Sequence, residues 1–272
     1  MQIGLLKYAV SLTVMGYLVC FMPKVCEAQK TEPPADGSHT SRARIDDILT
    51  TLEQRSDEIK DIRCKVHFVD DDRINLSRRT KHGSILFLIT APNPHFLIQF
   101  DKTEVDGVLG KREWYLFDGL WLYEVLERIK QVTKREIARE SEVVDLFDLE
   151  TAPFPLPFGQ KKDAILRHFN VTLASPEEGD PPDTDHLICI PKPDSKMRRK
   201  YDKLEFFVKR DIHLPSRVVV TKSEGMEVST ANFPDLSAGS INAGITKKDF
   251  AKPGAWKKYK VVIETLTTEN DR

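Results

Sequence analysis

The chain predicts a mainly β domain of the α+β class, built on one strongly curved antiparallel sheet or partial barrel. Three observations carry this. Apolar residues alternate with period two through many short segments, beginning at Asp61. Turn signals divide those segments at hairpin spacing, most strongly Asp118-Gly119, where glycine accepts a positive φ at little cost. Helical periodicity is confined to a stretch before the first strand and to an insertion between two sets of strands.

The first helix is read from Ile45, Ile48, Leu49, Leu52 and Ile59, with Asp46 and Asp47 near the N-terminal end, where the helix dipole favours anions. From Asp61, Ile62, Cys64, Val66 and Phe68 face one way while Arg63, Lys65 and His67 face the other. Residues 84–90 are continuously apolar and read as a strand covered on both faces. In 95–101, Phe96, Ile98 and Phe100 share a side. Segments 112–117 and 120–127 form the Asp118-Gly119 hairpin, and 130–138 is its exposed antiparallel partner.

The insertion follows. Residues 142–149 (EVVDLFDL) read as a short amphipathic helix, Pro153, Pro155 and Pro157 stiffen the connection, and 161–169 reads as a second helix. Strands resume at 171–174, 186–191, 204–209, 216–222 and 226–233, with a hairpin turn over 222–225 and a further strand over 257–264.

Ahead of the domain, Lys7, an apolar run over 8–22, Pro23 and the small residues Cys26 and Ala28 have the layout of a secretory signal peptide cut before Gln29. The run is short for a membrane span, and Val19 and Val25 stand where a lipoprotein signal wants a small residue. The expected organisation is a signal peptide over 1–28, a flexible linker over 29–40 (QKTEPPADGSHT), and one domain over 41–272 in the periplasm or outside the cell.

A formal net charge of −1 gives no electrostatic reason to expect nucleic acid. Cys64 and Cys189 are the cysteines left after cleavage. Each lies in an apolar strand pattern, which favours two buried thiols over the single bridge that the compartment would permit. No HExxH, HxH or GxSxG pattern occurs, and the histidines are scattered, so no catalytic residue, metal ligand or cofactor is assigned and no enzyme is expected. Asp70-Asp71-Asp72 lacks the spaced ligands of a calcium loop and reads as a charged turn. The clusters 196–200 (KMRRK) and 257–260 (KKYK) read as solvated loop ends. The alternative is docking to acidic headgroups, with Trp256 at headgroup level.

A curved sheet with two apolar faces needs something in its concave side. Either the helices pack it shut, or an apolar ligand occupies a cavity with the insertion as a movable cover. The hairpin Phe117-Asp118-Gly119-Leu120-Trp121-Leu122-Tyr123, followed by Lys130-Gln131-Val132, resembles the corresponding hairpin of the periplasmic outer-membrane lipoprotein carriers (LolA/LolB-like). Gly83, the segment with Pro92 and Pro94, Leu187 to Pro191, Arg210-Asp211 with Leu214-Pro215 and Gly225, and Phe250 with Pro253-Gly254 follow in the family's order.

The resemblance implies an unclosed antiparallel half-barrel of about eleven strands with a helical lid, holding lipoprotein acyl chains or another lipid. The cavity candidates are Phe68, Phe87, Phe96, Ile98, Phe100, Trp114, Leu116, Trp121 and Tyr123, and the lid candidates are Val144, Leu146, Phe147, Ile165 and Leu166. A monomer is expected, with transient contact to a membrane surface or an envelope protein. Related half-barrels that serve as envelope sensors supply the second reading, a module that binds a membrane or protein partner. One departure stands out. The carriers place an arginine before the proline that opens the next strand, where it ties down the lid backbone, and here Ala91 or Asn93 takes that place.

Overall fold

The computed structural model describes residues 36–139, 142–144 and 159–266. The signal peptide expected over 1–28 therefore lies outside the described residues, as does most of the expected linker. Helix α1 (Asp36–Glu58) begins inside that linker, so 36–40 are helical. It buries Ile48, Leu49 and Leu52, the positions the helical period selects. Asn242, from far along the chain, stops it: its amide donates to the Glu58 carbonyl and its Oδ1 accepts the Lys60 N–H at 2.7 Å.

Seven strands follow: β1 (Asp61–Asp72), β2 (Ser77–Leu88), β3 (His95–Val105), β4 (Val108–Leu109), β5 (Glu113–Phe117), β6 (Trp121–Leu126) and β7 (Gln131–Glu136). Helix α2 (Lys162–His168) leads into β8 (Phe169–Ala174), β9 (Thr184–Pro191), β10 (Tyr201–Lys209), β11 (Pro215–Lys222) and β12 (Glu227–Asn232). A crossover built from short 3-10 turns then reaches β13 (Lys260–Glu264).

All thirteen strands form one sheet, in the order β13-β7-β6-β5-β3-β2-β1-β12-β11-β10-β9-β8, with β4 paired to β3 off this path. The end strands β13 and β8 do not meet, so the sheet is unclosed. The count exceeds the eleven the resemblance implies. β4, at two residues, is too short to show a period, and β13 pairs with β7 in parallel, the one departure from an antiparallel sheet.

Asp118 Oδ1 accepts the Trp121 N–H at 3.0 Å and Gly119 takes a φ of 99°, which closes the β5–β6 hairpin. Gly83 is required for a different reason. A Cβ there would stand 1.8 Å from the Gln99 carbonyl oxygen, beside the bulge where β2 meets β3. Of the helix expected over 142–149, residues 142–144 have no regular structure and the rest lies outside the described residues.

The two faces of the sheet are covered differently. The inner face carries the main core, where α1 and α2 meet Ile62, Phe87, Phe96, Phe117, Leu187 and Met197. Each such large apolar side chain contributes about 1.5–3 kcal/mol on burial. The outer face of β5, β6 and β7 is covered by the crossover, through Ile245, Phe250 and Trp256.

Candidate functional site

The inner face is not filled along its whole length. A cavity of about 360 Å³ remains between the two halves of the sheet. Val66 and Phe68 of β1, Ile85 of β2, Ile98 and Phe100 of β3 and Tyr115 of β5 form one wall; Tyr201, Val218, Val220, Ala231 and Phe233 form the other. Phe100 packs against Phe68 with ring centroids 6.3 Å apart and edge-to-face against Tyr115 at 6.2 Å. Burial, reinforced by Glu113, raises the pKa of the Tyr115 phenol, and burial raises that of Tyr201, so both remain neutral.

Three further polar side chains line this space: Lys81, Lys222 and Ser229. Lys81 is only 6% exposed and places Nζ 2.6 Å from Glu113 Oε2. Ser229 donates to Asp70 Oδ1 at 2.7 Å, and Lys222 pairs with Glu227.

Register decides which residues reach the cavity. Antiparallel partners share a face, and Ile98 pairs with Tyr115, so Tyr115 turns inward. Gln99 pairs with Trp114, and Leu97 with Leu116, which turns Trp114 and Leu116 outward; Leu116 in turn pairs with Tyr123. Trp114, Leu116 and Tyr123 accordingly lie in the outer core beneath Phe250 and Trp256, with Trp121 packed against them. Phe87 and Phe96 are inner-face residues sealed in the main core at 1% and 0% exposure, away from the cavity lining. Of the nine cavity candidates, Phe68, Ile98 and Phe100 are at the wall. Tyr115, Tyr201, Val218, Val220 and Lys81 were not among the candidates. Alternation with Ile85 and Phe87 along β2 points to Lys81; the others depend on pairing between strands.

Among the lid candidates, Ile165 is buried in the main core and Val144 and Leu166 pack against it, while Leu146 and Phe147 lie outside the described residues. Both flanks of the insertion are anchored. Asn93, buried at 1%, donates to the Gly119 carbonyl at 2.7 Å and the Glu142 carbonyl at 2.9 Å, and accepts the Val144 N–H at 2.8 Å. Where the chain resumes, the Gly159 N–H donates to Ser56 Oγ and Lys161 pairs with Asp57, both on α1.

Trp256 is not placed for headgroups. It is buried and meets Trp114 edge to face at 5.9 Å. In the 196–200 cluster, Met197 is buried, which seats the 3-10 turn on the main core. Asp70, Asp71 and Asp72 belong to β1, paired with β2, rather than to a turn; Asp72, at the strand's end, accepts the Ile74 and Asn75 N–H groups and so shapes the β1–β2 turn that follows. Cys64 and Cys189 are free, buried thiols. The described residues contain no group of three or more His, Cys, Asp or Glu side chains placed to hold a metal ion.

Among solved structures, the chain is similar to an uncharacterized conserved protein from Thermus thermophilus at 13% identity and a TM-score of 0.44, covering 81% of this chain and 99% of that one. It is also similar to a putative outer membrane lipoprotein-sorting protein domain from Vibrio parahaemolyticus, at 13% identity and 0.38, over 77% and 97% of the two chains. A LolA superfamily protein from Nitrosomonas europaea matches at 13% identity and 0.34, over 75% and 97%. No family model and no curated protein matches the chain.

Proposed function

We propose that this chain is a non-enzymatic lipid-binding carrier that works in the periplasm or outside the cell, holding an acyl chain of a lipoprotein or other lipid. One observation carries the reading: an apolar cavity of about 360 Å³ left open in an otherwise packed inner face. That volume is at the small end of the roughly 300–1,000 Å³ of ligand pockets, which suits one slender chain. Each methylene buried contributes about 0.8 kcal/mol, so a chain of about 14 carbons supplies on the order of 11 kcal/mol before ordering costs.

A carrier must also release its load and approach a membrane. Residues 142–144, held through the Asn93 side chain, are better suited to give way than α2, whose Ile165 belongs to the main core. The turns next to the cavity offer the membrane contact. Arg73 donates its N–H to the Met226 carbonyl, and Asp106 accepts from Ser77 and Arg78, which ties three hairpin ends together. They expose Ile74, Leu76, Val108 and Leu109.

The test is native mass spectrometry with lipid extraction on protein purified without harsh detergent, followed by titration with a fluorescent fatty acid. Co-purified lipid, or saturable uptake of the probe, is the expected result. A clean unliganded mass with no uptake would rule the reading out.

A further inference from the structure

We propose that the lipid taken by this cavity is a single chain ending in an acidic head, and that Lys81 selects it by exchanging Glu113 for that head. The proposal rests on the acyl-cavity reading above and specifies its ligand. Lys81 lies on the inner face of β2, between its strand partners Phe68 and Thr103. Its Nζ stands 5.1 Å from the Phe100 ring centroid and 5.7 Å from that of Tyr115, two aromatic walls of the cavity. An ammonium in such surroundings loses most of its hydration, so it must be paired.

The partner present is Glu113 Oε2, at 2.6 Å. Such a pair adds little to stability over an apolar packing of the same volume, because desolvation offsets its Coulombic gain. Its place in the wall of an apolar cavity gives it another use. Lys81 is fixed and buried, at 8% side-chain exposure, whereas Glu113 is nearer solvent at 22% and starts β5. The Glu113 carboxylate therefore stands in for a ligand carboxylate; it also accepts a long 3.4 Å bond from the Tyr115 hydroxyl, and it is the partner nearer solvent and more easily turned outward. An arriving acid head re-forms the same charge-assisted bond while its tail runs along Ile85, Ile98 and Val218. A hydroxyl-headed chain gains no such bond, because it leaves the Lys81–Glu113 pair intact. Lys222, at the same cavity, is paired with Glu227, and Asp70 accepts from Ser229, which leaves Lys81 as the buried cation of the cavity wall.

The experiment compares dodecanoate with dodecanol by isothermal titration of the intact protein, then repeats both with Lys81→Met and Glu113→Gln. Dodecanoate is expected to bind the unaltered protein on the order of tenfold more tightly. Glu113→Gln should widen that preference several-fold by removing the competing carboxylate, and Lys81→Met should abolish it while dodecanol still binds. Equal affinity for the two ligands in the unaltered protein overturns the acidic-head proposal and leaves the acyl cavity standing. Failure of both to bind overturns the cavity reading itself. The comparison in the unaltered protein decides the matter even if Lys81→Met does not fold.

Discussion

Asn93 accepts the Val144 N–H at 2.8 Å while its own amide donates to Gly119 and Glu142, so one buried side chain serves as backbone partner to two separate segments. Asn93→Asp removes both donors and sets a carboxylate against two carbonyl oxygens. Asn93→Ala leaves those groups unpaired, at about 1–3 kcal/mol for each one that stays buried. Both variants should lower the melting temperature, Asp more than Ala, and both should speed exchange of a bound acyl probe. Probe off-rates equal to those of the unaltered protein would show that residues 142–144 have no part in release.

The separation of the sheet's faces makes a second prediction. Ala231→Phe, which puts a ring into the cavity, is expected to cut fatty-acid affinity at least tenfold in protein that still folds. Trp121→Ala removes an outer-face indole that holds Lys134 Nζ 3.7 Å from its ring centroid, costing roughly 0.5–1 kcal/mol of stability. It should leave affinity unchanged. Binding measured alongside circular dichroism checks both, and the reverse ranking would place the ligand on the outer face.

Acid should weaken the fold before its carboxylates titrate. His67 and His82 stand with Nε2 atoms 2.8 Å apart, and burial, followed by the charge of His82, lowers the His67 pKa. His95 is lowered too, by burial and then by Lys247. A histidine whose folded pKa lies below its unfolded value of about 6.5 binds fewer protons folded than unfolded across that interval. Stability therefore falls as pH drops through it. Urea midpoints should decline from pH 7.5 to pH 5, and less steeply when His67 and His82 are both changed to Gln. Identical slopes would remove the pair from the account.

Burial, assisted by Asp235, pushes the Cys64 thiol up to about 12, and burial alone does the same for Cys189. At pH 8 roughly one molecule in ten thousand would carry either as thiolate. Iodoacetamide should leave both unmodified in native protein and alkylate both in urea, as read by peptide mass spectrometry. Protection that persists in urea without reductant would mean that they are joined.

Local pattern made much of this legible. Alternation, apolar runs and turn signals located twelve of the thirteen strands, and helical patterning located α1 and α2, because they record which residues leave water within one element. Facing was harder. In β5 and β6 both sets of alternating residues are apolar: Trp114, Leu116 and Tyr123 on one side, Tyr115, Phe117 and Leu122 on the other. Only the pairing of Ile98 with Tyr115 says which set turns inward, and pairing partners are not written in a strand's own sequence. Trp256 misled for a similar reason. Its neighbours Lys257 and Lys258 suggest a surface, while the contact that buries it is with Trp114, far back in the chain.

The strand order has a mechanical corollary. Strands β1 to β7 form one meander and β8 to β12 another, and among the described strands the two are hydrogen-bonded to each other only where β1 pairs with β12, from His67↔Asn232 to Asp72↔Glu227. The cavity draws one wall from each meander, so it lies along this junction as the gutter of an open book lies along its spine. Twisting the spine changes the width of the gutter with every other strand pair intact, which would let one site accommodate chains of different girth. Hydrogen exchange reads this directly. Amides along β1–β12 should exchange faster than those along β1–β2 in empty protein and slow on loading, whereas uniform protection would describe a binding site of fixed bore.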